Sequence, residues 1–262
     1  SHNLNNMTDH SQNNTATVVC IRYDDLVSSC SSPPKSNTTD DMNMSIDNLI
    51  EKAFGSNPSS LGIIAITNVP KLPSLRLRLL PLAQKLALLS PEELEEITVP
   101  EAEYQVGWSH GREKLEEDKL DYSKGSFYAN PLTEDLTKSM LERRRLQKQQ
   151  QNDNNSVEDD DINNSTKELL KWDESLQSIK TDEELIQLAK DNPAFFAPNV
   201  WPSNCLPELE CAFRDVGVLV QEVGVLVAQC CDSYVSARCP CYEPKLESII
   251  RNSKCCKGLL LT

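Results

Sequence analysis

The amino-acid sequence predicts an α+β fold, mainly α-helical with a few short strands, on three observations. The first is a long helix over residues 204–235, where apolar residues recur at steps of three and four. The second is a leucine-rich helix over 75–89. The third is a pair of short β-favouring runs, 17–23 and 61–67, which predict strands rather than helices by their length and composition.

The long helix is predicted to bury one face and to organise the rest of the chain. The apolar residues of that face are Leu209, Phe213, Val216, Val220, Val223, Val227 and Cys230, widened by Leu219 and Leu226. Burial contributes about 1.5–3 kcal/mol for each large side chain. Gly217 and Gly224 lie seven residues apart on nearly one face, and each costs roughly 1 kcal/mol relative to Ala. We therefore expect another element to pack closely against both glycines.

The first half of the chain alternates short elements. A helix begins after the cap residue Ser45 and ends at Phe54, with Gly55 predicted as its left-handed stop. The run 61–67 is nearly all apolar, which favours a strand buried on both faces. The helix over 75–89 is expected to kink or break at Pro81. A capping box at Ser90 and Glu93 opens a further short helix.

The second half contains one irregular segment and several helices. Residues 101–131 mix aromatics with glycines and predict an ordered loop, with one or two helical turns at 112–121. Helices are predicted over 136–151, from Thr181 to 190, and from Pro244 to Asn252. The Cys-Pro-Cys triplet at 239–241 ends the long helix, and residues 257–261 begin a strand.

Two polar tracts, 1–15 and about 148–166, have too few apolar residues to form a core and are predicted to be disordered. The expected organisation is a tail (1–15), a first region (16–135), a helical and acidic insertion (136–190) and a second region (191–262).

Composition excludes several classes of function. The net charge of −14 argues against a general nucleic-acid binder, because phosphate contacts need clustered Lys and Arg. No run of 18 apolar residues predicts a membrane span, and no basic segment followed by an apolar run predicts a signal peptide. A cytoplasmic protein is expected.

Ten cysteines are present, six of them after residue 229. Their spacings are adjacent or one apart rather than those of zinc knuckles, and several fall on apolar helical positions. Structural free thiols are the favoured interpretation. The alternatives are a small zinc-binding module built from the late cysteines and a disulfide.

Four stretches together resemble the N-terminal part of isopenicillin N synthase-like Fe(II)- and 2-oxoglutarate-dependent oxygenases. They are residues 18–26, which resemble the opening strand; 61–70, with Val69-Pro70 where the family has His-Gly; 107–111 with 124–131; and 198–258. The resemblance implies a helical N-terminal region that precedes a catalytic jelly-roll barrel. In the family, iron is held by His-x-Asp/Glu and a distant His, and an Arg-x-Ser pair binds 2-oxoglutarate.

None of the three histidines, His2, His10 and His110, begins a His-x-Asp/Glu motif. His110 is expected to make a local hydrogen bond rather than bind metal, and Arg251-Asn-Ser253 fits the cosubstrate motif only by letter. No catalytic, cofactor-binding or metal-binding residue is therefore assigned. Fe(II) and 2-oxoglutarate are implied only for a full-length family member.

The sequence thus predicts the N-terminal part of a non-haem oxygenase, reaching the first barrel strand and inactive as this chain. A free-standing helical protein-interaction module is the alternative from another class. Because the barrel would cover the long helix, we expect the chain alone to self-associate through that helix.

Overall fold

The computed structural model describes residues 17–31, 45–116, 119–153, 179–243 and 245–262. Its helices are α1 (Tyr23–Ser31), α2 (Ile46–Phe54), α3 (Leu72–Ala87), α4 (Pro91–Glu96), α5 (Leu136–Asp153), α6 (Asp182–Asp191), α7 (Pro193–Phe196), α8 (Glu208–Arg238) and α9 (Leu246–Asn252). Its strands are β1 (Val19–Arg22), β2 (Ile64–Thr67), β3 (Gly107–His110), β4 (Lys114–Glu116), β5 (Lys119–Leu120), β6 (Gly125–Ala129) and β7 (Gly258–Leu261). The mainly helical α+β class is confirmed.

The strands form three small sheets. β1 and β2 pair in parallel, with Val19 opposite Ile64. β3, β6 and β7 form an antiparallel sheet in that order, and β4 and β5 form a short hairpin. The described strands close no barrel, so the architecture is a set of helices with small sheets attached.

The long helix α8 organises the fold, because both large clusters of buried side chains lie along it. Around its first half lies the aromatic core, in which Phe127 of β6 and Phe213 of α8 meet Trp201, with α3 and Leu260 of β7 alongside. Around its second half lies the aliphatic core, formed with β1, β2, α1 and α2 around Ile21, Leu26 and Ile50. A smaller cluster joins α5 to α6.

Most of the predicted apolar face of α8 is buried or half-buried, but one residue is not. Val220 is 59% exposed, so its predicted burial is wrong. The reason is the length of the helix, which has 31 residues. The two cores lie along its two halves, and Val220 lies in the middle of the helix, between them. The sequence predicts that another element packs closely against both Gly217 and Gly224, and the structure shows this only at Gly217. A Cβ on Gly217 would lie 2.3 Å from Cβ of Pro131, whereas nothing lies within 4 Å of one on Gly224.

Several predicted elements are confirmed. Ser45 caps α2 by accepting from the amide of Asn48, and the capping box at Ser90 and Glu93 is complete. A second capping box, Thr181 with Glu184, opens α6. Strands form inside 17–23 and after residue 257, and α8 ends at Arg238 directly before the Cys-Pro-Cys triplet.

Other local predictions are wrong. Gly55 has a φ of −66°, not a left-handed one. α3 continues through Pro81, so the expected break into two helices is wrong, whereas a kink at Pro81 stays a prediction. Pro81 lies on the exposed side of α3, where water can bond the Leu77 carbonyl that loses its amide donor. β2 is only half-buried along its length, because it belongs to a two-stranded sheet rather than to the centre of a larger one.

The segment 101–131 is not the ordered loop that the sequence suggests. It contains β3 and β6, paired with Trp108 opposite Phe127, and β4 pairs antiparallel with β5 where helical turns were expected. Because glycine is rare inside strands, the glycines of this segment hide the alternating pattern that predicts a strand. At Gly107 the backbone requires a glycine. Gly107 has a φ of 73°, and a Cβ there would lie 1.9 Å from the Ile97 carbonyl oxygen.

The insertion is described only in part. α5 runs two residues beyond the expected end at 151 and is joined to the segment before α6 by Arg144, which donates to the Ile179 and Lys180 carbonyls and to Asp182. Residues 148–153 form the last part of α5, so the prediction of disorder is wrong for the start of the tract 148–166. The predicted disorder of residues 1–15 and 154–166 falls on residues outside those described.

Candidate functional site

The aromatic and glycine-rich strands β3 and β6 place His110 at the surface. Its Nε2 lies 3.1 Å from the Tyr122 carbonyl oxygen, and its ring meets the Tyr122 ring edge-on at 5.7 Å between centroids. The Trp108 ring lies on the other side, 6.2 Å away. His110 thus makes the local hydrogen bond that the sequence predicts, although it lies on a strand rather than in a loop.

A small cavity lies where β6 ends and β7 begins. Its volume is about 210 Å³. Its walls include Asn130, Glu134, Phe195, Asn199, Cys256 and Lys257. Ligand pockets for drug-sized molecules measure about 300–1,000 Å³, so this cavity has room only for water or a very small ligand.

Two asparagines on the cavity wall tie together three distant segments. The Asn199 amide donates to the Asn130 carbonyl at 2.9 Å, and its Oδ1 accepts from the Asn130 backbone amide at 2.7 Å. Asn130 in turn donates to the Lys254 carbonyl at 2.6 Å, just before β7. Their side-chain groups are therefore used to hold the backbone together.

The charged side chains of the cavity, Glu134 and Lys257, also form contacts with other parts of the protein. Glu134 accepts from Arg214 of α8 and from the Trp201 indole nitrogen at 3.1 Å. Lys257 donates to the Ala194 carbonyl at 2.8 Å, and burial lowers the pKa of its ammonium group. Burial likewise raises the pKa of the Cys256 thiol, so its nucleophilic thiolate is disfavoured. The cavity therefore brings together structural contacts rather than an acid–base or nucleophilic pair.

The cysteines, all free thiols, lie in separate places rather than in one cluster. Cys30 of α1 and Cys230 of α8 lie 3.6 Å apart between sulfur atoms inside the aliphatic core. Burial, together with the neighbouring Cys30, raises the pKa of Cys230 to about 12. Cys239 and Cys241 lie 3.3 Å apart on the turn after α8.

Within the described ranges, no group of three or more His, Cys, Asp or Glu side chains is placed to hold a metal ion. Of the late cysteines, Cys239 and Cys241 lie beside each other, and Cys230 lies beside the early Cys30. Arg251, the first residue of the triplet that matches the cosubstrate motif by letter, forms an ion pair with Glu247 one turn earlier on α9.

One buried polar residue escaped the sequence reasoning. Asp232, at an apolar-looking position of α8, accepts from the amides of Lys245, Leu246 and Glu247 and from the Tyr242 hydroxyl at 2.5 Å. Burial tends to raise the pKa of Asp232, but these donors outweigh it and the pKa is lowered. The carboxylate thus caps α9 from another helix. Its only sequence signal is an acidic residue inside an apolar run.

No helix of the described residues is long and apolar enough to cross a membrane. Comparison with known proteins gives no relatives: no family model matches the sequence, no curated protein matches it, and no solved structure matches the fold.

Proposed function

We propose that this chain is the non-catalytic N-terminal part of a non-haem Fe(II)- and 2-oxoglutarate-dependent oxygenase, an oxidoreductase family, and that it supports a jelly-roll barrel. The observation that carries the proposal is the edge strand β7. It pairs with β6 on one side, and no described strand pairs with its other side. An antiparallel sheet packed on a long helix, with β7 as an unpaired edge strand, is suited to continue into further antiparallel strands.

The side chains of β7 support the same proposal. Leu260 points into the aromatic core, whereas Leu259 and Leu261 are about half-exposed on the opposite face. In a two-layer β structure both faces of a strand are covered, so exposed leucines on this face fit a second layer. The ten free thiols fit a reducing compartment, and the proposal places the protein in the cytoplasm.

The proposal assigns no turnover to the chain itself. Iron in this family needs two histidines and a carboxylate, and His110 lies on β3 with its ring against Tyr122. The test is succinate formation from 2-oxoglutarate with added Fe(II), for which we expect only background. Turnover that disappears in a His110→Ala variant would contradict the non-catalytic assignment.

The family assignment has a separate test. Sequencing of the transcript beyond the Thr262 codon is expected to reveal His-x-Asp/Glu within the following strands. A transcript that encodes no such motif, together with cooperative unfolding of the chain by itself, would instead support the second candidate, a free-standing interaction module. That candidate is favoured by the exposed leucines of α3 (Leu77, Leu80 and Leu88).

A further inference from the structure

The outward side of α3 carries an apolar face that no described residue covers. Leu77 is 77% exposed and Leu88, which directly follows the helix, is 75% exposed. At 3.6 residues per turn these leucines lie on one line with Leu80, Pro81 and Gln84, within about 100° of the helix surface. The opposite side, with Leu79, Leu82 and Leu86, is buried in the aromatic core. We refer to Leu77, Leu80, Pro81, Gln84 and Leu88 as the outer face of α3.

Cations flank this uncharged face on both sides. Arg76 lies on one side and Lys85 on the other, and neither has an acidic partner among the described residues. Arg78 is different, because it bonds Asp215 and the Cys211 carbonyl of α8 and belongs to the internal packing. α3 has no acidic residue in its first turn and ends close to α4, which carries four glutamates (Glu92, Glu93, Glu95 and Glu96).

We propose that the outer face of α3 is a self-association surface that binds a second copy of this chain. The apolar face is convex and uncharged, and the cations of α3 are complementary to the glutamates of α4. In a two-fold arrangement with antiparallel α3 helices, each apolar face covers the other, and Arg76 of one copy approaches the glutamates of α4 of its partner. One patch therefore supplies both halves of the contact.

The same charges disfavour an anionic membrane as the occupant. A lipid surface attracts Arg76 and Lys85 but repels the four glutamates of α4, which follow α3 after a connection of three residues, 88–90. A second copy offers both glutamates to the cations of α3 and cations to the glutamates of α4, whereas an anionic lipid layer attracts only the cations.

The size of the surface indicates a weak dimer. The 16 residues of α3 span about 24 Å, which gives a contact smaller than the roughly 800 Å² per partner of a standard interface. We therefore expect a reversible dimer whose population rises with protein concentration. This surface is distinct from the long helix, which the sequence suggested for self-association and whose apolar side chains are largely covered by the chain itself.

Sedimentation velocity on the full chain over micromolar to sub-millimolar concentrations tests the proposal. We expect a monomer–dimer equilibrium that Leu77→Glu/Leu88→Glu abolishes. Both side chains are exposed, so circular dichroism of the variant should match that of the unaltered chain. The matched control is Ile249→Glu on α9, a residue 60% exposed outside this face, which should leave the dimer unchanged.

A charge exchange tests the orientation. Arg76→Glu alone and Glu95→Lys/Glu96→Lys alone should each raise the dimer Kd about tenfold, because each creates like charges at both ends of the two-fold contact. An equimolar mixture of the two variants should recover the affinity, since each copy then offers the charge that its partner lacks. The lysines lie at the carboxyl end of α4, where the helix dipole accepts cations.

Three results would overturn the proposal. They are a chain that stays monomeric at every concentration, a dimer that persists in Leu77→Glu/Leu88→Glu, and a mixture of charge variants that recovers nothing. Binding to phosphatidylserine-containing vesicles that requires Leu77 and Leu88, without a dimer, assigns the face to a membrane instead. None of these results depends on the oxygenase assignment, because none involves β7 or iron.

Discussion

The two halves of α8 are buried by different kinds of neighbours. Around the first half, three aromatic rings (Phe127, Trp201 and Phe213) pack with centroids 5.6–6.0 Å apart, beneath an antiparallel three-stranded sheet. Around the second half, aliphatic side chains and thiols pack beneath a parallel sheet of only two strands.

The difference shows how one helix stabilises two unlike cores. Parallel strands are usually part of a larger sheet covered by helices, and an isolated pair of strands is marginal in water. β1 and β2 therefore depend on α1, α2 and α8 for their stability. The aromatic core instead gains from large rings and from the asparagine contacts behind it, so we expect the largest single-residue effects there.

The largest effect is expected at Phe127, which is fully buried between Trp201 and Phe213. Phe127→Ala should lower the free energy of unfolding by about 3–5 kcal/mol, because it removes a large buried ring and leaves a cavity. Urea denaturation followed by circular dichroism measures this change. Phe195→Ala, at an exposed ring on the cavity rim, is the control and should change the value by no more than about 0.5 kcal/mol.

A smaller loss is expected beside the aliphatic core at Asp232. Asp232→Ala removes the acceptor of three backbone amides and of Tyr242, and should cost about 1–3 kcal/mol. Since the pKa of Asp232 is lowered in the folded chain, its stabilisation is present above the unfolded carboxyl pKa of about 4 and is lost as the pH falls through the folded value.

Denaturation at several pH values checks the sign of this effect. In Asp232→Asn the loss of stability below about pH 4 should be smaller than in the unaltered chain, because one titrating group is gone. Glu243→Gln, at an exposed carboxylate, should leave the acid dependence as it was. An unchanged acid slope in Asp232→Asn contradicts the assigned role.

Substitution of each of the two glycines of α8 tests how closely the two halves of the helix are packed. Gly217→Ala should be destabilising, since its Cβ would overlap Pro131, whereas Gly224→Ala should stabilise by about 0.5–1 kcal/mol because its Cβ meets nothing. Thermal unfolding of the two variants side by side gives the answer. Changes of the same sign in both would mean that the halves are packed alike.

The smallest effect is kinetic and uses Cys230 as a probe of the aliphatic core. Its thiol is buried and has a pKa of about 12, so iodoacetamide at neutral pH should modify it only when that core opens. Because α8 runs through both cores, Phe127→Ala should accelerate this labelling. A rate unchanged by Phe127→Ala would show that the two cores open independently. The exposed Cys241 is the control for reagent activity.

The sequence by itself determined the elements that depend on neighbouring residues. The cap at Ser45, the capping boxes at Ser90 and Thr181, and the end of α8 at the Cys-Pro-Cys triplet are satisfied by side chains within four residues, so their pattern is local. The amphipathic periodicity of α8 likewise predicts a helix wherever the chain lies. The resemblance to the oxygenases stays a prediction, since no comparison bears on it.

Only the tertiary structure decided what depends on distant residues. β3 and β6 become strands because Trp108 and Phe127 pair across 18 intervening positions, and β7 joins them from more than a hundred residues further on. Asp232 caps a helix other than its own, and Val220 is exposed because two cores, rather than one, lie along α8. Such contacts are set by chain topology and packing, which a pattern of neighbouring residues does not contain.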